Sequence, residues 1–258
     1  MNAPARELAV IGDGLEGAIV AATLARSLRG TGFVVAAYAA GRAHAPPPAV
    51  ECPPSLRALH DLLSLSEPDI MRACDGAYSV GAIFEDDTGA TRGVVPYGAL
   101  PPAWRGAPFR QHWIAAARRG EVARFHEFSP AALAALAGRL PFANDDPGRF
   151  LAEVGFCLDT NLYTRFMRDC AAHYGAHMSD RIVRGTEVVA DSARLVFDDG
   201  TSDVLLAIDC SGAALASAVS AERVHPAIPR PAVAIRRRSD GGYAIDRPLR
   251  GSTVSIAV

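Results

Sequence analysis

The sequence predicts an α/β fold: a Rossmann-like, partly parallel central sheet with a short β-meander and an inserted helical segment. Three observations carry this prediction. The apolar run Leu8-Ala9-Val10-Ile11 leads straight into Gly12-Asp13-Gly14-Leu15-Glu16-Gly17, a small-residue helix and a second apolar run, Phe33-Val34-Val35-Ala36-Ala37. The whole unit takes about thirty residues, the length of a βαβ motif opened by a G-x-G-x-x-G turn. Residues 187–209 read as short strands joined at Asp198-Asp199-Gly200. They close on Val204-Leu205-Leu206-Ala207-Ile208, which enters Asp209-Cys210-Ser211-Gly212 and so returns to the sheet late in the chain.

In the glycine turn each small residue has its own task. Gly12 permits the tight turn, Gly14 lets a pyrophosphate approach the backbone, and Gly17 brings the helix close to the sheet, so that phosphates rest on the positive helix N-terminus. The plainer alternative is a strand–turn–helix whose glycines serve packing only. Along the helix, Leu15, Ile19, Ala22 and Leu28 fall near helical spacing, while Ala18, Ala21 and Ala25 keep its backbone near the sheet. Prolines at 46–48 and 53–54 make residues 41–54 a loop. Helices follow at 55–64, capped by Ser55, and at 67–73, opened by Glu67-Pro68-Asp69.

Residues 77–84 alternate as one strand, ended by Asp86-Asp87-Thr88-Gly89. A Pro/Gly-rich segment at 92–108 precedes helices at 111–118 and 130–138, a loop at 144–148 and a helix at 149–153. The helix at 159–174 is marked by Leu162, Phe166 and Met167 and stops at Gly175. Beyond 213 come an Ala-rich segment, a proline-studded linker at 225–231 and weak strand-like pieces.

Composition excludes several classes. Half the residues are hydrophobic and the net charge is −2, with no basic stripe, so no nucleic-acid partner is expected; Arg236-Arg237-Arg238 reads as a solvated strand end. All 26 basic residues are arginine, so chemistry that needs an amine side chain has no candidate among these residues. The five cysteines (Cys52, Cys74, Cys157, Cys170, Cys210) are scattered and lack C-x-x-C spacing, which argues for reduced thiols and against structural zinc. His173 and His177 are four apart, but Gly175 between them ends the helix, so no metal site is expected. No signal peptide and no membrane span are read, and the expected location is cytoplasmic.

The cofactor follows from two places. A nicotinamide fold normally carries Asp or Glu at the end of its second strand, which here is Tyr38-Ala39-Ala40, so ribose recognition is left unexplained. The late Ser211-Gly212 turn favours FAD, with NAD(P) as the alternative. Glu51 is a candidate for contacting flavin or a bound water, or else a polar loop residue. Cys210 reads as a packing residue and Arg165 as a surface arginine.

Several segments together resemble the flavin-dependent tryptophan halogenase family. They are the Gly12–Gly17 turn; Val50-Glu51-Cys52-Pro53-Pro54 with the helix after it, similar to the family's Gly-Glu-Ala-Thr-x-Pro loop; Phe109-Arg110-Gln111-His112-Trp113; the stretch Gly155 to Phe166; and Ile208-Asp209-Cys210-Ser211-Gly212. The resemblance implies FAD held on Gly12, Gly14, Gly17, Ser211 and Gly212, a separate reductase that supplies reduced flavin, and a small aromatic substrate. It implies hypohalous acid made from halide and oxygen, then steered by a lysine. That lysine lies in a Gly-x-x-Phe-Lys strand matched here by Gly76-Ala77-Tyr78-Ser79, so Ser79 stands in its place, and the family's Trp-x-Trp-x-Ile-Pro motif has no match. The chain is therefore expected to be a truncated or divergent member. Its discontinuous FAD-binding domain would be residues 1–84 and 154–215, its cover segment 85–153, and residues 216–258 the incomplete start of a substrate domain. A non-catalytic flavin-fold partner protein is the alternative reading.

Overall fold

The computed structural model describes residues 6–41, 46–85, 92–98, 100–121, 123–143, 145, 149–189 and 192–212, with strand pieces at 230–231, 234–237, 243–246 and 253–254. The expected turn at 86–89, most of the loop at 144–148 and the Ala-rich segment and linker between 213 and 229 lie outside the described residues, as do the side chains of Arg236 and Arg237 and all of Arg238.

The centre is a fully parallel four-stranded sheet. Strands β1 (Glu7–Ile11) and β2 (Val34–Ala39) are joined by helix α1 (Leu15–Ser27), and β8 (His177–Ile182) and β12 (Leu206–Asp209) complete the order β12-β1-β2-β8. Side chains alternate across it. Val10, Val35 and Ala37 face α1 and helix α6 (Thr160–His173), while Ala9, Ile11, Ala36 and Tyr38 face Leu195, Phe197 and Val204 of a meander. Both faces are covered, which is why β1 and β2 read as unbroken apolar runs. The meander itself is β9 (Gly185–Val189), β10 (Ser192–Phe197) and β11 (Gly200–Val204), antiparallel throughout.

The helical layer depends on small side chains. Ala18, Ala21, Ala22 and Ala25 of α1 are buried and let α6 and the sheet approach closely. On α6, Tyr163, Met167, Cys170 and Ala171 form one buried stripe at helical spacing, and the Asp159 carboxylate caps the helix by accepting from Leu162 N–H at 2.9 Å. Outside this layer lies an antiparallel sheet of β3 (Ala49–Cys52), β7 (Gly155–Asp159) and β4 (Ala77–Ser79), flanked by α2 (Arg57–Leu62) and α3 (Glu67–Ala73). The hairpin β5 (Gly81–Glu85) and β6 (Arg92–Pro96), then α4 (Phe109–Arg118) and α5 (Pro130–Leu136), fill residues 81–136. No helix among the described residues is long and apolar enough to cross a membrane.

Three expectations are corrected. The loop at 41–54 contains β3, because Ala49–Cys52 pair with β7 despite the flanking prolines. The single strand at 77–84 is two, broken at Gly81, whose φ of +139° turns the chain into a different sheet. Residues 149–153 are not helical; Phe150 instead bridges Phe142, their rings stacked at 4.8 Å. The helix stops as expected before Gly175, and strand β8 starts at His177, so His173 and His177 belong to different elements.

One polar pair sits inside the core. His60, 4% exposed, shares a 2.8 Å hydrogen bond with the hydroxyl of the fully buried Tyr163. Burial holds the imidazole pKa below its ordinary 6.5. The unfolded chain therefore takes up this proton first, so the stability His60 contributes is complete above about pH 6.5 and falls as pH drops through that value. Urea unfolding at about pH 8 and about pH 5.5 should show this loss, flattened in His60→Gln. Tyr163→Phe, which strips the imidazole of its partner, should cost about 1–3 kcal/mol at the higher pH.

Candidate functional site

The parallel sheet has a topological switch. From β1 the chain proceeds outward through β2 to β8, and β12 then returns to the opposite side of β1. In open α/β sheets the crevice beyond the carboxyl ends of the strands, at such a switch, is where ligands bind. Two turns meet there: the glycine loop after β1 and the Cys210-Ser211-Gly212 turn after β12.

The three loop glycines divide into two kinds. Gly12 has φ +146°, donates its N–H to the Tyr38 carbonyl at 2.9 Å, and lies so close to β12 that a Cβ would come within 2.8 Å of the Cys210 carbonyl oxygen. A Cβ on Gly17 would stand 2.5 Å from the Gly12 carbonyl oxygen. Packing alone demands both of these. Gly14 is different: its backbone is extended (φ −81°, ψ −179°), a conformation open to any residue, and a Cβ would meet only Glu16 Oε2, at 3.0 Å. Neither strain nor backbone packing requires glycine at this position, the N-cap of α1. No side chain caps the helix there. The first-turn N–H groups, which have no partner within the helix, and the positive end of its dipole thus face the crevice. The bare approach at Gly14 fits a diphosphate, provided the exposed Glu16 side chain turns outward.

Across the switch, Asp209 Oδ1 accepts from Ser211 N–H at 2.8 Å and from Ser211 Oγ at 2.5 Å, and Gly212 continues with φ +68°. The structure thus brings Gly12, Gly14, Gly17, Ser211 and Gly212 to one end of one sheet. Burial pushes the half-buried Cys210 thiol up, with Asp209 and Glu16 adding to the effect, so it favours the unreactive thiol form. Burial does the same to Cys52 and Cys157, both pushed up to about 12, and to Cys74, at about 11. Arg165 is exposed on α6. Among the described residues no cluster of His, Cys, Asp and Glu could hold a metal ion.

A second polar constellation lies on the outer sheet. Register places Glu51, Cys157 and Ala77 in one row, with Ser79 and Gly155 in the next on the same face, while Phe156 and Leu158 point the other way into the core. Ser79 Oγ donates to Glu51 Oε1 at 2.9 Å, and the Tyr97 hydroxyl donates to the same oxygen at 2.5 Å. Glu51 Oε2 accepts no hydrogen bond among the described residues. Burial first, then the hydrogen bond to Glu51, pushes the Tyr97 pKa far up, so Tyr97 remains a donor. Tyr97 was not among the sequence candidates. Its place is prepared by Gly155, where a Cβ would lie 2.9 Å from Tyr97 Cε2, and by its own N–H, which donates to the Val80 carbonyl at 2.9 Å. The only sequence signal for it is the Pro96-Tyr97-Gly98 context, which marks a turn rather than a site.

Comparison with known proteins adds the family. The profile described as tryptophan halogenase matches residues 7–224. The flavin-dependent halogenase BrvH of Brevundimonas sp. BAL3 superposes with a TM-score of 0.66 at 24% identity, over 81% of this chain and 43% of its own. A flavin-dependent halogenase from Xanthomonas campestris gives a TM-score of 0.66 at 25% identity over the same shares. The tryptophan 6-halogenase of Streptomyces toxytricini gives 0.64 at 17% identity, over 82% of this chain and 44% of its own. The chain thus spans less than half the length of the solved halogenases it matches. A search of curated protein sequences finds no match.

These contacts separate the glycines experimentally. Gly17→Ala and Gly12→Ala should each destabilise the fold by about 2–4 kcal/mol, because the methyl group meets backbone that cannot yield. Gly14→Ala should leave the unfolding free energy, read from urea titration, within about 0.5 kcal/mol of the parent. On the outer sheet, Gly155→Ala, whose methyl would meet the Cys52 carbonyl oxygen and, at 2.9 Å, the Tyr97 ring, should displace Tyr97 and cost more stability than Tyr97→Phe, for which about 1 kcal/mol is expected.

Proposed function

This chain belongs to the tryptophan halogenase family, and from that membership we propose that it is a flavoprotein that binds FAD at the carboxyl end of its parallel sheet. The observation that carries the reading is Gly14, a glycine that packing does not require, at an uncapped helix N-terminus on the switch point. In this reading Gly12, Gly14 and Gly17 carry the diphosphate and Ser211 and Gly212 border the cofactor. Residues 1–84 and 154–215 make up the flavin domain, residues 85–153 are a cover, and residues 216–258 begin a substrate domain.

Bound reduced flavin, delivered by a reductase partner, supplies the oxygen-activating chemistry. What the chain itself contributes is position, exclusion of water and the polar cluster at Glu51. Tyr97 and Ser79 hold one carboxylate oxygen of Glu51, which leaves the other to accept from a small aromatic substrate or a water. The reading is of a monooxygenase-like oxidoreductase of the cytoplasm, in keeping with five free thiols. At the position of the family's lysine stands Ser79, whose hydroxyl is already committed to Glu51. A hydroxyl cannot supply the amine that steers hypohalous acid, so halogenation by that route is not part of this proposal. The same Ser79 contact favours a second reading, a non-catalytic flavin-binding partner protein.

Purified protein mixed with FAD should show a flavin spectrum displaced from that of free FAD. A dialysed sample that keeps no flavin and gives no heat of binding overturns the proposal, and tight binding of NADH in its place would favour a nicotinamide protein. Oxygen uptake and halide incorporation, assayed with a flavin reductase, separate the two readings. The first expects oxygen consumption without halogenated indole, and the second expects neither. Glu16→Gln should tighten FAD binding by about threefold, because the carboxylate over Gly14 opposes the incoming diphosphate.

A further inference from the structure

A nucleotide seated in a βαβ unit turns its ribose hydroxyls toward the tip of the second strand, where an Asp or Glu of that strand normally receives them. Strand β2 runs out through Tyr38-Ala39-Ala40 with no acid. A carboxylate stands at that tip all the same. Asp13, the residue between Gly12 and Gly14, reaches across 27 positions of sequence and accepts from Ala40 N–H at 3.1 Å and from Gly41 N–H at 3.3 Å, both through Oδ2. Two backbone donors therefore fix one oxygen of an exposed carboxylate. The other, Oδ1, takes no hydrogen bond among the described residues.

We propose that Asp13 is the ribose-recognising acid of this chain: the glycine loop delivers the carboxylate to the tip of β2, and Oδ1 accepts from the hydroxyls of the adenosine ribose. The inference rests on the FAD reading above and names the group that discriminates the nucleotide half of the cofactor. A free carboxylate oxygen is the right partner for a diol, since hydrogen bonds from O–H to an ionised acceptor are the stronger kind. It is the wrong partner for a 2′-phosphate. Among the described residues, the Arg184 guanidinium, whose Nη1 comes within 3.6 Å of where a Gly41 Cβ would be, is held in a fork by Asp198 at 2.9 and 2.7 Å. A carboxylate oxygen held at this tip therefore favours unphosphorylated ribose.

Asp13→Asn tests this cleanly. An asparagine can still accept from Ala40 and Gly41 through its carbonyl oxygen, so the loop stays stapled, but it turns an N–H₂ donor outward where Oδ1 had been an acceptor. Calorimetry with FAD, with FMN (which has no adenosine) and with ADP against 2′,3′-dideoxy-ADP reads the difference. Asp13→Asn is expected to weaken FAD about tenfold, leave FMN within about twofold, and abolish the preference for ADP over its dideoxy analogue. Its melting temperature without ligand should stay within about 2 °C of the parent. Unchanged FAD affinity in the variant, or FAD and FMN weakened together, would make Asp13 a structural staple only and overturn the inference while the FAD reading survives. A parent protein that binds neither FAD nor ADP would sink both.

Discussion

A contact between bare backbones at the tip of β1 governs the arrangement of everything around it. Gly12 lies against the carbonyl of Cys210, just past β12, while its N–H is tied to Tyr38 on β2, so one residue at the end of β1 links the ends of three neighbouring strands of the parallel sheet. Gly17 then rests on Gly12, which fixes how close α1 can come. A side chain at either place would push apart elements whose separation sets the width of the crevice. Strand spacing, helix approach and the shape of the candidate binding edge are thus consequences of two missing Cβ atoms.

The outer sheet repeats this device for another purpose. Gly155 leaves a hole in the face that carries Glu51 and Ser79, and the Tyr97 ring occupies it. The glycine admits the Tyr97 ring as well as the Cys52 backbone, whose carbonyl oxygen a Cβ would meet, and the Glu51 carboxylate is held through one oxygen. Charge elsewhere is used conservatively. The meander pairs Arg184 with Asp198, Arg194 with Asp203 and Arg181 with Asp199, all at exposed positions where such pairs contribute little to stability. Fixing side-chain direction matters more here than the energy of any single pair.

Membership of the tryptophan halogenase family and a particular chemistry are distinct properties. A fold that seats a dinucleotide and a residue that directs a reactive halogen species are separable features, because the first is written in glycines and strand order and the second in one side chain.

The βαβ unit, the meander and the late strand ending in Asp-Cys-Ser-Gly were legible because each is a local pattern. Apolar runs of the right length stand beside residues that only a turn tolerates, and strands covered on both faces need no partner to be recognised. Strands β3, β7 and β8 were not legible. Their residues mix polar and apolar types, and pairing with distant neighbours rather than intrinsic pattern makes them strands. The Phe150 segment was misread as helix because stacking on Phe142 outweighs its short-range propensity. Among the site residues, the sequence by itself determined which glycines line the loop and that no amine is present to act at position 79. Only the tertiary structure decided that Ser79 and Tyr97 share one oxygen of Glu51 and that the Asp13 carboxylate is fixed at the tip of β2. The physical reason is that a hydrogen bond spanning 27, 28 or 46 residues depends on strand register and on the space a glycine leaves, and neither is encoded within reach of the residues that make the bond.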